Sequence, residues 1–141
     1  KAISIYGDGH QVRDVLAVQD LLRAFAAAYE NRARTAGQVY NIGGGPNNAT
    51  SLLELLSGIE RSLHIRVKHR FRPARPGDQP IYITDFSKFS EHTNWRPEIR
   101  LSQTIDDISQ WYNANRMAFV PTDFPVPSSK VAIETIGGIA S

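Results

Sequence analysis

An α/β fold is what this sequence predicts, and three observations carry the prediction. Apolar residues recur at three- and four-residue steps near 18–32, 52–63 and 101–112, short β-branched and aromatic runs lie between those stretches, and Gly/Pro clusters separate the two kinds of segment. Helical and strand-like pieces therefore alternate along one domain-sized chain.

In chain order, Ile3-Ser4-Ile5-Tyr6 and Gln11-Val12-Arg13 flank an Asp8-Gly9 turn dipeptide, so they are expected to form the two arms of a small hairpin. Val15, Leu16, Val18, Leu21, Leu22, Phe25, Ala26 and Tyr29 then predict one amphipathic helix from about Val18 to about Arg32, ended by Gly37. Val39-Tyr40-Asn41-Ile42 reads as a short buried strand emptying into Gly43-Gly44-Gly45-Pro46. Ser51-Leu52-Leu53-Glu54 is a capping box that starts a second helix running to about Leu63. Ile65 to Phe71 alternates with period two, which predicts a half-buried strand with Arg66, Lys68 and Arg70 on its solvent side. After the Pro73–Pro80 loop come a short strand at Ile81-Tyr82-Ile83 and a short helix opening at Asp85-Phe86-Ser87-Lys88 and ended by Trp95-Arg96-Pro97. Leu101-Ser102 opens a third clear helix, with Ser102 as its cap and Ile105, Ile108, Trp111 and Tyr112 on its apolar stripe. Past Arg116, Pro121, Pro125 and Pro127 predict an extended tail.

Composition narrows the function classes. With 141 residues, 41% hydrophobic and 21% charged, the chain can bury a core and is not disordered over most of its length. It has no cysteine, which removes disulfide and thiolate–zinc sites and favours an intracellular, cytoplasmic location. No apolar run is long enough to span a bilayer, so no membrane partner is expected. The four histidines lack zinc-ligand spacing, and no metal site is expected. The chain starts at Lys1 and enters a strand almost at once, which predicts a preceding amino-terminal part. Net charge is only +2, but Arg61, Arg66, Lys68, Arg70, Arg72 and Arg75 fall in one stretch with no Asp or Glu. A basic strand face without interleaved aromatics is ordinarily a solvated face, and nucleic acid is not an expected partner.

Two motifs carry chemistry. In Tyr6-Gly7-Asp8-Gly9-His10-Gln11-Val12-Arg13-Asp14 a turn would fix Arg13, whose rigid fork of donors suits a phosphate or diphosphate. Taken alone, the stretch also fits a surface hairpin closed by a salt bridge. In Arg75-Pro76-Gly77-Asp78-Gln79 a proline sets the backbone, a glycine permits close approach, and a carboxylate can accept from two sugar hydroxyls. An ordinary Pro-Gly turn is the other reading of that piece.

Together with Asn41-Ile42-Gly43-Gly44-Gly45, the Ser51–Leu55 capping box, Asp85 with Lys88 and Trp95 with Pro97, these motifs resemble the carboxy-terminal part of extended short-chain dehydrogenases that act on nucleotide sugars. Within that group the chain is most similar to the CDP-paratose 2-epimerases, over about residues 2–112. The resemblance implies that Arg13 and Arg75 bind the nucleotide-sugar diphosphate and that Asp78 lies near the ribose hydroxyls. It also implies a division into a substrate-lobe hairpin (1–14), the last helix–strand unit of the Rossmann lobe (15–45), a sugar-nucleotide lobe (46–116) and a tail of unknown role (117–141).

The family's Gly-x-x-Gly-x-x-Gly phosphate loop and its Tyr-x-x-x-Lys catalytic pair are absent from these residues, and Gly43-Gly44-Gly45 lacks the spacing to replace the loop. No catalytic residue is therefore expected in this chain. NAD is expected to be bound mainly by an amino-terminal part, the ligand to be a nucleotide sugar with a CDP-sugar favoured, and the assembly to be a homo-oligomer. The alternative is a non-catalytic binding module for sugar nucleotides or polyanions that uses the same arginines.

Overall fold

The computed structural model describes residues 2–119. The arms of the expected hairpin form β1 (Ile3–Tyr6) and β2 (Val12–Asp14), but they do not pair with each other. β1 runs parallel to β4 (His69–Arg72), from Ile3 opposite His69 to Tyr6 opposite Arg72. β2 is the centre of a second sheet, antiparallel to β3 (Ala49–Ser51) and parallel to β5 (Ile81–Tyr82). The reason lies in the connecting loop. Gly7 and Gly9 both have positive φ (82° and 80°), and Asp8 Oδ1 accepts from the His10 backbone N–H at 2.9 Å. A loop built on two left-handed residues and a local Asp turn carries the chain from one sheet to the other instead of folding it back.

α1 (Val18–Glu30) forms where the periodicity places it and is followed by a single turn, α2 (Arg32–Thr35). Its orientation is the reverse of what the apolar stripe suggested. The face in the core is made of small residues and one carboxylate, with Ala24 buried against Phe89 and Trp95, Ala27 and Ala28 packed beside them, and Asp20 fully buried. Val18, Leu22, Phe25 and Tyr29 are instead 61–71% exposed. Alanines let the Phe89 and Trp95 rings approach the helix closely, and an edge-on chain of rings (Tyr40–Phe89 5.1 Å, Phe89–Trp95 5.5 Å, Phe86–Trp95 5.7 Å) fills the space. The outward stripe is an apolar patch of the kind that drives association. The chain studied alone is expected to self-associate, and Leu22→Lys with Phe25→Lys should suppress this in sedimentation; a monodisperse wild-type monomer would refute the expectation.

Val39–Ile42 is not a strand. Val39 is 83% exposed, Tyr40 and Ile42 pack on the core, and no described strand lies beside the segment to complete a ladder. The glycine turn and a 3₁₀ turn at Pro46–Asn48 follow. α3 (Leu52–Leu63) starts where the capping box places it: Glu54 N donates to Ser51 Oγ at 3.2 Å, and Ser51 N donates to Glu54 Oε2 at 2.8 Å.

The strand expected over Ile65–Phe71 is shorter, and all four residues of β4 are exposed. β4 is the outer strand of a two-stranded sheet whose buried side chain, Ile5, belongs to β1. α4 (Ser87–Thr93) and α5 (Leu101–Ala114) complete the fold. Ser102 does not cap α5, because the helix already begins at Leu101; the Leu101 N–H is taken by the side chain of Asn48, Oδ1 at 3.1 Å. Of the expected α5 stripe, Ile105 packs over Gly58 while Ile108 and Trp111 are exposed. Past Arg116 the chain makes a 3₁₀ turn (Arg116–Phe119); the rest of the expected extended tail lies outside the described residues. Among the described residues no helix is long and apolar enough to cross a membrane, and no group of three His, Cys, Asp or Glu residues could hold a metal ion.

Candidate functional site

Parallel pairing of β2 with β5 sets Arg13 opposite Tyr82, and the Val12 N–H donates to the Pro80 carbonyl at 2.8 Å. The proline loop is thereby laid alongside β2. Arg13 Nη2 donates to Asp78 Oδ1 at 2.9 Å across 65 residues of sequence, and Nη1 donates to the Val12 carbonyl at 2.7 Å. Asp78 is placed by its own turn, with its N–H on the Arg75 carbonyl at 3.2 Å and Gly77 at φ 79°. Arg75 stacks its guanidinium over the Tyr6 ring, Cζ 3.9 Å from the centroid.

Of the three residues singled out in the sequence, Arg13 and Asp78 are therefore in contact, and Arg75 shares the turn with Asp78. Tyr6 was missed as a site residue. Its only signal would have been the parallel register of β1 with β4, which no local pattern reveals.

Tyr6 and Asp78 line a cleft of about 330 Å³ between the 6–11 loop and the segment Ala74 to Pro80, with Arg13 bonded to Asp78 and Arg75 stacked on Tyr6. A larger cavity of about 490 Å³ lies between α3 and α5, where Glu54, Arg61 and Asp106 present mixed charge. The first cleft is the better anion site, because two guanidiniums and an aromatic face stand beside it. The basic ladder is more dispersed: Arg66 is 93% exposed and pairs loosely with Glu60 at 3.6 Å, while Arg70 Nε donates to Ser4 Oγ at 3.2 Å.

Across the cleft, the Asp8 carboxyl is held below the usual carboxylate range, chiefly by the backbone N–H of His10. A depressed folded-state pKa contributes order that is present above the unfolded value and is lost as pH falls through the folded one. The loop should therefore keep its Asp turn through the ordinary aspartate range and lose it only below that range. The His10 amide shift followed against pH tests this; a midpoint at or above an ordinary aspartate would contradict it.

The Gly43–Gly45 turn packs tightly against the rest of the chain. A Cβ on Gly43 would lie 2.2 Å from Thr84 Oγ1, one on Gly44 1.9 Å from the Val15 carbonyl oxygen, and one on Gly45 2.5 Å from the Phe86 ring. The turn locks the exit of β2, with Gly45 N–H donating to Asp14 Oδ2 at 2.8 Å.

With this geometry in hand, the likeness to known proteins is specific. The chain is 32% identical over 111 residues to a CDP-paratose 2-epimerase of Salmonella typhi, covering 79% of this chain and 33% of that protein. It is 35% identical over 115 residues to a dTDP-glucose 4,6-dehydratase of an Actinoplanes species, covering 81% and 35%. Among solved structures, a UDP-glucose-4-epimerase of Stenotrophomonas maltophila with bound NAD and formylated UDP-arabinopyranose superposes with TM-score 0.73 at 27% identity, covering 83% of this chain and 36% of that one. A UDP-glucuronic acid 4-epimerase of Bacillus cereus in complex with UDP-glucuronic acid and NAD gives TM-score 0.72 at 29% identity, covering 81% and 36%. The chain thus spans about a third of the length of the relatives it matches. Its α/β architecture is that of the extended Rossmann-type short-chain dehydrogenases. Residues 1–108 match the family described as GDP-mannose 4,6 dehydratase, and the chain belongs to that family of nucleotide-sugar epimerases and dehydratases.

Proposed function

We propose that this chain is the nucleotide-sugar-binding portion of an NAD-dependent sugar-nucleotide epimerase of the CDP-paratose 2-epimerase kind. The observation that carries the reading is the Arg13–Asp78 contact at 2.9 Å beside Arg75 and Tyr6, which gathers distant cations and a carboxylate at one cleft. Arg13 and Arg75 take the diphosphate, and Asp78 faces the ribose. NAD, when bound, supplies transient oxidation of a sugar carbon. The absence of a Gly-x-x-Gly-x-x-Gly loop and a Tyr-x-x-x-Lys pair from these residues supports a reading in which a further part of the protein supplies most of the NAD site and the acid–base groups. A CDP-sugar is favoured by the Salmonella typhi relative, although the other relatives act on dTDP- and UDP-sugars. A cytoplasmic homo-oligomer goes with this reading, and the exposed α1 stripe supports association.

The exposed basic strand favours a second reading, a polyanion-binding module without chemistry. Calorimetry with a CDP-sugar separates the two. In the parent protein that also carries the NAD-binding part, Arg13→Ala and Arg75→Ala should each weaken CDP-sugar binding by about 1.5–3 kcal/mol, lysine should restore only part, and NAD affinity should hardly change. If Arg66→Ala weakens binding as much as Arg13→Ala, with strong salt dependence, the ladder is the site and the clamp is wrong.

A further inference from the structure

We infer that Asp78 is a positioning residue of the anion site: it holds Arg13, and through its own turn Arg75, in the geometry that receives the diphosphate. The inference rests on the nucleotide-sugar reading above and assigns Asp78 a task different from contacting the ribose.

Arg13 and Asp78 side chains are 40% and 36% exposed, and an ion pair so open to water adds little to folding. Its effect is geometric. Two acceptors at different angles, Asp78 Oδ1 on Nη2 and the Val12 carbonyl on Nη1, fix the plane of the guanidinium while leaving its other N–H groups for a ligand. The same carboxylate belongs to the turn closed by Asp78 N–H on the Arg75 carbonyl. Release of Asp78 from Arg13 therefore frees the loop that carries Arg75 to the Tyr6 ring. With Oδ1 occupied by Arg13, at most part of the carboxylate is left for a ribose hydroxyl.

Charge makes the inference testable. Asp78 is an anion beside a site proposed for anions, so if it did nothing but sit there, removing it would tighten anion binding by relieving repulsion. A positioning role predicts the opposite sign. Calorimetry on the full chain with inorganic pyrophosphate, which has neither ribose nor base, and with CDP reads this directly. Asp78→Ala is expected to weaken pyrophosphate binding about tenfold and CDP binding by at least that factor, and to have no further effect on pyrophosphate when Arg13→Ala is already present. Asp78→Asn, which keeps the shape and one acceptor, should lie between wild type and Asp78→Ala, and it carries the test if the alanine variant fails to fold. Tighter pyrophosphate binding in either variant, weakening of CDP alone, or an undiminished pyrophosphate loss in the Arg13→Ala background would each overturn the positioning role. If wild type binds CDP no better than pyrophosphate, the nucleotide-sugar reading falls, while the pyrophosphate series still decides the role of Asp78. A wild type that binds neither overturns both.

Discussion

Replacing Asp20 by alanine is expected to cost about 3 kcal/mol of folding free energy, a large share of the roughly 5–15 kcal/mol that holds a domain together. Asp20 is 0% exposed, and its carboxylate is bonded on every side. Oδ1 accepts from Nε and Nη2 of Arg23, and Oδ2 accepts from the backbone N–H groups of Glu98 (3.1 Å) and Ile99 (3.0 Å). The Asp20 main-chain carbonyl also takes the Trp95 indole N–H at 3.1 Å, a bond that survives the substitution. The loss divides unequally. Arg23 reaches water and has Glu98 Oε2 at 3.0 Å as a second partner, so its cation is not stranded. The two amides have no other acceptor in that pocket, and a buried donor left without one costs about 1–3 kcal/mol. Asp20→Asn keeps the shape and one acceptor oxygen and should lose about half as much. Urea unfolding of the two variants is the check; a loss below about 1 kcal/mol for Asp20→Ala would mean that the 95–99 segment is held by the ring cluster alone.

Asp20 also shows what a sequence pattern conceals. Periodicity located α1 correctly, since backbone propensity and spacing are local. It could not say which face is buried, because a stripe of Val18, Leu22, Phe25 and Tyr29 is equally apolar whether it meets this chain or another surface. The capping box was legible to the residue, as both of its partners lie within one turn of helix. The Asp8-Gly9 turn was legible as a turn but not as a bridge between sheets, because the partners of β1 and β2 lie far away in sequence. The site divides in the same way. Arg13, Arg75 and Asp78 could be singled out as residue types suited to a sugar nucleotide, and a shared ligand for them was only what the family resemblance implied. Only the β2–β5 pairing shows that Asp78 meets Arg13 before it meets anything else.

Gly44→Ala is expected to cost about 3 kcal/mol or more and to remove CDP binding, because the added methyl has nowhere to go. Its carbon would lie 1.9 Å from the Val15 carbonyl oxygen and 2.6 Å from the carbonyl carbon, both main-chain atoms that cannot rotate aside. Overpacking ordinarily costs about 1–3 kcal/mol when side chains can give way, and here they are not what is struck. Relief has to come from moving either the glycine turn or the end of β2. The turn is fixed by Gly45 N–H on Asp14 Oδ2 (2.8 Å) and the β2 exit by Val15 N–H on the Asn48 carbonyl (3.0 Å), so displacement reaches Asp14 and, next to it, Arg13. Gly37→Ala is the control. Gly37 has φ 73° with open space around its Cα, so alanine there pays only the left-handed backbone cost of about 1–2 kcal/mol and should leave CDP affinity unchanged. Gly44 is not among the glycines with positive φ, so its penalty is wholly steric. Thermal unfolding and CDP titration of both variants separate the two causes. A Gly44→Ala protein that unfolds like wild type and binds CDP normally would show that the glycine turn does not set the position of Arg13.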